Sequence, residues 1–315
     1  MNTIDLQIQS TASDGKFAPR ELVRMAKAQG LSVIAITDHD TIGGLTEALA
    51  AGEEFGVRVI SGIEISVEEH DAHLLGYGMN IEDVALIAAL EEAQRKRIEG
   101  AKMMVENLRN AGFVVKWSDV ERQIEGGLRD GGVVARPHIA RAILGRPENR
   151  GKLGNITSVH DFIEMHLSNA SPHYVRRAHI PARDAIALIH GAGGVAIWSH
   201  PAIHFPSDYE GLEQFLGELV EWGIDGIEVL NPSHTEDDVE FLEGLAAEHR
   251  VLRTAGSDFH DVGEHARDPT GGLHSAKSPG DYPTYGFLTD DIVARLDEAI
   301  EKRRSGAAQV GDEMV

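Results

Sequence analysis

The chain of 315 residues is 42% hydrophobic and 25% charged, which is ordinary for a globular protein with a core. Its net charge of −22 disfavours a long nucleic-acid groove, because such grooves collect Lys and Arg against phosphates. The absence of cysteine excludes disulfides and thiolate metal ligands, so any metal must be held by histidines, carboxylates or amides. No apolar run approaches the roughly 20 residues of a membrane span, and no secretory signal opens the chain, so we expect a cytoplasmic protein.

Residues 1–80 alternate between strand and helix patterns. Asp5, Gln7 and Gln9 alternate with apolar residues, which predicts a strand over 3–10 with its polar side chains on one face. Further strands are predicted over 32–37, 58–66 and 72–78, and helices from Pro19 to Gly30 and over 41–55. This alternation favours a mainly parallel α/β arrangement.

From about residue 81 to residue 180 the pattern becomes helical, with few strand signals. Alternation resumes at Pro181, with helices predicted over 181–190, 211–222, 236–248 and 289–304, and strands over 194–199, 226–231 and 251–255. We therefore expect a discontinuous α/β domain over 1–80 and 181–304, a helical insertion over 81–180, and a flexible tail over 305–315.

Polar groups collect where the predicted strands end. These groups contain Asp38, His39 and Asp40, then Glu64, His73, His200, His234, Asp258 and His260. Ligands of α/β folds bind at the carboxyl ends of strands, so these side chains should converge at one rim. A solvated turn explains any single group, but the repetition is typical of a cluster of divalent metals.

The ordered set of these groups resembles the polymerase-and-histidinol-phosphatase (PHP) superfamily. The nearest branch is similar to small phosphoesterases that act on nucleoside monophosphates, 3′,5′-bisphosphates or short oligonucleotides. The matching segments are 5–15, 35–41, 62–66, 73–78, 136–141, 199–201, 226–234 and 256–260. The resemblance implies a distorted (β/α)7-type barrel with a helical insertion domain after the fourth strand.

The resemblance also implies a set of metal ligands and two or three divalent ions (Mn²⁺, Zn²⁺, Fe²⁺ or Mg²⁺). A first metal would be surrounded by Gln7, Gln9, Glu64 and Asp258, a second by Glu64, His73 and His200, and a third by Asp14, His39 and His260. The family has His-x-His where this chain has Gln7 and Gln9, so the first set has lost both imidazoles. A Gln carbonyl binds hard cations but is a weak ligand for Zn²⁺, Mn²⁺ or Fe²⁺.

The glutamine pair leaves three explanations open. It is an engineered substitution that disables the site, a natural variant with two working metals, or the mark of a protein that binds its ligand without turnover. The sequence does not separate them.

The same resemblance assigns Arg136, His138 and His234 to catalysis and to substrate phosphate. Arg suits bidentate phosphate binding, although Arg136 could be an exposed helix residue and His234 an ordinary turn residue. The implied reaction is hydrolysis of a phosphate ester of a small nucleotide-like substrate such as AMP, by a metal-bound hydroxide. Two alternatives stay open: a catalytically silent nucleotide-binding homologue and, from another class, a metal-dependent amidohydrolase. The natural substrate, the metal and the oligomeric state are not indicated by the sequence.

Overall fold

The computed structural model describes residues 2–124, 134–168, 170–175, 179–262 and 276–312, with side chains described as far as residue 306. The chain divides into two compact units, the first formed by Met1–Ala89 with His179–Val315 and the second by Leu90–Ala178. The second unit falls inside the range in which the sequence predicts a helical insertion.

The first unit is built on one seven-stranded sheet whose strands follow chain order. The strands are β1 (Ile4–Ile8), β2 (Val33–Ile36), β3 (Arg58–Ser66), β4 (His73–Tyr77), β5 (Val195–Trp198), β6 (Gly226–Leu230) and β7 (Leu252–Ala255). Neighbouring strands are parallel, except that β4 pairs antiparallel with both β3 and β5. A bridge between Ile8 and Phe259 joins the two edges of the sheet. The result is a nearly closed barrel, which confirms the predicted fold class.

Helices occur in both units, and those of the first unit cover its strands. Along the described residues the helices are α1 (Pro19–Ala28), α2 (Leu45–Phe55), α3 (Val84–Asn110), α4 (Trp117–Glu121), α5 (Arg136–Leu144), α6 (Arg150–Leu153), α7 (Val159–His166), α8 (Ala182–Gly191), α9 (Pro201–His204), α10 (Tyr209–Glu221), α11 (Glu236–His249) and α12 (Ile292–Asp312). Helix α1 is representative: proline opens it and Leu22, Val23 and Ala26 form its buried face. Within the described part of the chain, none of these helices is both long and apolar enough to cross a membrane.

The second unit has its own apolar core. Leu108, Phe113, Ile139 and Phe162 are buried together in it. Asn149 joins segments of this unit, because its side chain accepts a hydrogen bond from Val114 N and donates to Val114 O. A buried core of this kind allows the unit to be compact without strands.

Strand β1 is buried along its whole length, although the sequence pattern predicts one polar face. The polar face points into the barrel, where Asp5, Gln7 and Gln9 are fully buried. Asp5 there accepts hydrogen bonds from the backbone N–H and the hydroxyl of Ser257, at 2.8 and 2.6 Å. The polar residues of β1 are therefore interior groups that need partners.

The last helix is longer than the sequence pattern predicts. Helix α12 begins at Ile292 and continues to Asp312, whereas the pattern predicts a helix over 289–304 followed by a tail. No proline interrupts residues 292–312, so the helix has no breaker at residue 304. The expected tail is thus helical in its first part.

Candidate metal centre

Glu64 lies at the centre of the candidate site, in strand β3. Its side chain has no exposed surface, and its Oε1 lies 2.9 Å from His73 Nδ1 and 3.1 Å from His200 Nε2. Its Oε2 lies 3.7 Å from His39 Nδ1. These groups come from four different strands or strand ends, so the barrel brings together residues that are far apart in sequence.

A second group of ligand atoms contains Asp14, His39 and His260, whose ligand atoms lie within 4.8 Å of one another. His260 Nδ1 lies 2.7 Å from the carbonyl oxygen of Asp258 and must donate to it, because a carbonyl only accepts. This bond directs the other ring nitrogen, Nε2, to a position 3.5 Å from Asp14 Oδ1. The orientation of His260 is therefore fixed from outside the group, as is common for metal-binding imidazoles.

Several turns that carry these side chains have left-handed backbone geometry. Asp40, His200 and Asp258 have φ angles of 53°, 28° and 50°, a region that costs non-glycine residues energy. At Asp40 the cost is offset because its carboxylate accepts bonds from the N–H and the hydroxyl of Ser66, at 2.8 and 3.1 Å.

Gln7 and Gln9 contact Glu64 through their amide nitrogens. Gln9 Nε2 lies 2.6 Å and Gln7 Nε2 3.2 Å from Glu64 Oε2. A carboxylate only accepts hydrogen bonds, so both amides must present N–H groups to it. Two donors thus occupy the side of Glu64 at which the first metal was expected.

The orientation of Gln7 is fixed by a chain of hydrogen bonds behind it. Gln7 Oε1 accepts from Asn231 Nδ2 at 3.2 Å. Asn231 in turn cannot reverse, because its Oδ1 accepts from Ser233 N at 3.0 Å and its Nδ2 also donates to Glu228 Oε2 at 3.0 Å. For Gln7 to offer its carbonyl oxygen to a cation, this whole chain would have to reverse. The residues at the first site therefore do not fit a metal, which agrees with the loss of both imidazoles.

The residues of the other two sites do fit divalent cations. Among the described residues, five buried imidazole nitrogens make no hydrogen bond of acceptable geometry: His39 Nδ1, His73 Nδ1, His200 Nδ1, His204 Nε2 and His234 Nε2. The Oδ1 atom of Asp258 is in the same condition. Buried polar atoms without hydrogen bonds are rare and call for an explanation, and three of these imidazoles, His39, His73 and His200, lie beside the same glutamate. A bound cation would satisfy them.

The charges of the centre are strongly coupled. Burial opposes ionisation of Glu64, but the neighbouring His39 and His73 and the hydrogen bond from His200 outweigh it and hold the pKa of Glu64 well below its ordinary value. Burial likewise opposes protonation of His200, but Glu64 raises the pKa of His200 to about 9. For His73, burial prevails and lowers its pKa. Glu64 is therefore a buried carboxylate that needs positive charge beside it.

His204 belongs to the cluster, and the sequence analysis missed it. The ligand atoms of His73, His200 and His204 lie within 4.8 Å of one another. The signal that could have indicated it is its spacing of four residues from His200, which in a regular helix places two side chains on one face.

His234 does not lie on an accessible surface of the site. Its side chain is fully buried, and its Nδ1 donates to the carbonyl oxygen of Val229 at 2.8 Å. Burial lowers the pKa of His234 to about 4, so the ring is neutral near pH 7. His234 Nε2 is buried and makes no hydrogen bond of acceptable geometry. The ring has no exposed surface in this structure, and its contact with phosphate stays a prediction.

Arg136 and His138 lie on helix α5 of the second unit. Arg136 Nη1 donates to Leu167 O at 3.3 Å, and its guanidinium lies 5.6 Å from the centre of the Tyr174 ring. His138 Nδ1 accepts from Ala135 N at 2.9 Å, so the ring proton of the neutral form is on Nε2. Both side chains carry N–H groups, the kind of donor that binds phosphate oxygens.

Together the barrel and its cluster define a class of protein. Buried imidazoles and carboxylates at the carboxyl rim of an α/β barrel are the arrangement used by hydrolases that activate water with divalent cations. A PHP domain model matches residues 5–152.

Similar proteins support the same class along most of the chain. A 3′,5′-nucleoside bisphosphate phosphatase of Chromobacterium violaceum is 32% identical over 276 residues, which cover 85% of this chain and 90% of that protein. A 5′-3′ exoribonuclease of Haemophilus influenzae is 31% identical over 258 residues, 81% of this chain and 89% of that protein. A solved structure, described as a metal-dependent phosphoesterase from Bifidobacterium adolescentis, has a TM-score of 0.76 and 29% identity, and the match covers 94% of this chain and 96% of that one.

The chain belongs to the PHP domain family of metal-dependent phosphoesterases. The predicted resemblance and the predicted class of enzyme, a phosphoester hydrolase, are thereby confirmed.

Proposed function

We propose that this protein hydrolyses a phosphate monoester of a small nucleotide, either a 3′,5′-bisphosphate or a 5′-monophosphate such as AMP. The observation that carries the proposal is the convergence of His39, His73 and His200 on the buried Glu64, with ring nitrogens that lack hydrogen bonds. The bisphosphate phosphatase that is 32% identical to this chain supports the substrate class.

The proposed cofactors are two divalent cations, one held by Glu64, His73 and His200 and the other by Asp14, His39 and His260. Bound there, they would supply a water of lowered pKa and positive charge for the phosphoryl oxygens. Among the protein's own groups, Glu64 holds negative charge between the two sets, and Asp258 has an unbonded carboxylate oxygen beside them. Manganese, zinc, iron and magnesium are all compatible with oxygen and imidazole donors.

Arg136 and His138 are the proposed phosphate contacts. Both carry N–H donors, and a guanidinium matches two phosphate oxygens at once. The contact of His234 with phosphate stays a prediction, because its ring is buried.

The proposed partner is a small phosphorylated molecule rather than a long nucleic acid, because the chain carries a net charge of −22 and long phosphate backbones require many clustered cations. The similarity to an exoribonuclease makes a short RNA the second substrate to test. The expected cytoplasmic location stays a prediction.

A second candidate function is favoured by the glutamine pair. Gln7 and Gln9 fill the first metal site with amide donors, so the protein could bind its nucleotide without turnover. The amidohydrolase alternative is favoured by one similarity, to a solved structure from Chromobacterium violaceum described as an amidohydrolase, with a TM-score of 0.76 and 28% identity over 95% of this chain. It predicts no release of phosphate from p-nitrophenyl phosphate.

One assay separates these functions. Phosphate release from adenosine 3′,5′-bisphosphate, AMP and p-nitrophenyl phosphate, and nucleotide release from a short RNA, are measured with Mn²⁺, Zn²⁺ or Mg²⁺. The proteins compared are the natural chain, the Gln7→His/Gln9→His variant and an inactive control, His39→Ala. Turnover by the natural chain that His39→Ala abolishes supports the enzyme. Binding by the natural chain, with turnover only in the double variant, supports the silent homologue. If neither form releases phosphate, the phosphoesterase proposal is wrong.

A further inference from the structure

His204 sits against two histidines of the centre. Its ring centre lies 5.2 Å from that of His200 and 5.7 Å from that of His73. The three ligand atoms lie within 4.8 Å of one another. Two metal–nitrogen bonds of about 2.0–2.1 Å span at most about 4.2 Å, so the rings would move together slightly around one cation.

His204 ends a single helical turn that begins beside the centre. His200 precedes helix α9, Pro201 is its first residue and His204 its last. The backbone N–H of His200 donates to Glu228 Oε2 at 3.0 Å, which anchors the start of this single turn to β6. His200 itself has a left-handed backbone, so the placement of His204 beside His200 and His73 rests on the ring contacts and not on helical spacing.

The free nitrogen of His204 has no other use in the structure. His204 Nε2 is buried and makes no hydrogen bond with any described residue, and a buried polar atom left without a partner is destabilising. Its aromatic neighbours are two further imidazoles, and a cluster of three rings with unbonded nitrogens is costly unless something positive lies between them.

We propose that His204 is a third imidazole ligand of the cation that His73 and His200 hold. The inference rests on the proposed cation binding of the same centre and adds one ligand to it. With Glu64, the donor set becomes three nitrogens and one carboxylate, which matches the ligand number and types of zinc sites. The other set, Asp14, His39 and His260, offers one carboxylate and two imidazole nitrogens. The two sites should therefore differ in metal preference, with the His204 site selecting Zn²⁺ or Co²⁺ over Mg²⁺.

The test titrates metal-free protein with Co²⁺ and follows both the visible absorption of bound Co²⁺ and its affinity against a competing chelator. His204→Phe keeps an aromatic ring and removes the donor nitrogen, and His204→Gln is the second variant should the first fail to fold, which circular dichroism decides. His70→Asn is the matched control. His70 is an exposed imidazole whose ring lies 4.9 Å from that of Phe205, the residue after His204, and Asn tolerates its φ of 55°.

The natural chain and His70→Asn should bind Co²⁺ alike. The His204 variants should bind one of their Co²⁺ equivalents about tenfold or more weakly, since even indirect partners of a metal change affinity by about 10–100-fold, and the absorption of that equivalent should change. Folded His204 variants with unchanged affinity and spectrum would overturn the assignment while leaving the proposed function intact. A natural chain that binds no Co²⁺ would overturn both.

Discussion

At the scale of single residues, Gln7 and Gln9 change the electrostatics of the centre more than its shape. Both side chains are buried, Gln7 on β1 and Gln9 directly after it, but they give N–H groups to Glu64 instead of lone pairs to a cation. A carboxylate that accepts such bonds is stabilised in its charged form. In the metal-free protein the glutamines therefore act as structural partners of Glu64.

If the glutamines stabilise the charged form of Glu64, removing the Gln9 amide should destabilise the folded protein. Gln9→Leu should lower the free energy of unfolding by about 1.5–3 kcal/mol, the usual contribution of a hydrogen bond to a charged group. The measurement is urea denaturation in the presence of a chelator, with the exposed Gln29→Leu as control. Equal stability of Gln9→Leu and the natural chain would show that the bond to Glu64 contributes nothing.

His234 makes a pH-dependent prediction. Its folded pKa of about 4 lies below the ordinary value of about 6.5, so the unfolded chain takes up a proton first as the pH falls. The stability contribution of neutral His234 is full above pH 6.5 and is lost progressively toward pH 4.

In the control variant His234→Gln the side chain cannot take up a proton in this pH range. The stability advantage of the natural chain over His234→Gln should be about 2 kcal/mol smaller at pH 5 than at pH 7.5, since the interval below pH 6.5 is 1.5 pKa units at about 1.4 kcal/mol each. Urea denaturation of both metal-free proteins at the two pH values measures the difference. An advantage that does not depend on pH would mean that His234 titrates normally.

Some of these residue-level facts could be predicted from the sequence and others could not. His39, Glu64 and His200 follow apolar runs, so their position at strand ends is visible in the pattern. The direction of the Gln7 amide is not, because it depends on Asn231 and Ser233, more than two hundred residues away. The burial of His234 depends similarly on how β6 and α11 close over it.

At the scale of elements, the strands and helices of the first unit were predictable because each has a strong period and a clear boundary residue. The antiparallel pairing of β4 was not part of the predicted parallel arrangement. Only residues 67–72 separate β3 from β4, and a parallel connection needs a dozen or more residues. The short connection therefore requires an antiparallel pair, and it brings His73 opposite Ser66 at the rim.

Helix α11 provides a test at this scale. The Thr235 hydroxyl accepts a bond from Asp238 N at 3.2 Å, and the Asp238 carboxylate accepts from Thr235 N at 2.9 Å, which is a reciprocal cap of the helix start. Thr235→Ala should lower the free energy of unfolding by about 1 kcal/mol, measured by urea denaturation. The exposed Glu240→Ala in the same helix should change it by less than about 0.5 kcal/mol. Similar losses in both variants would contradict a specific cap.

At the scale of the whole molecule, the acidic charge and the site have to be considered together. A chain with a net charge of −22 repels phosphates at long range and attracts divalent cations. Phosphate binding at the metal centre therefore requires local positive charge, which bound cations would supply. Since each of the two expected cation sites has a complete set of donors and the third is filled by amides, the number of bound cations tests the account as a whole.

That number is measured by equilibrium dialysis against Mn²⁺ or Zn²⁺ followed by elemental analysis of metal per folded chain. The account predicts two equivalents for the natural chain and three for the Gln7→His/Gln9→His variant. A natural chain that binds three equivalents, or one that binds none at saturating metal, would contradict it.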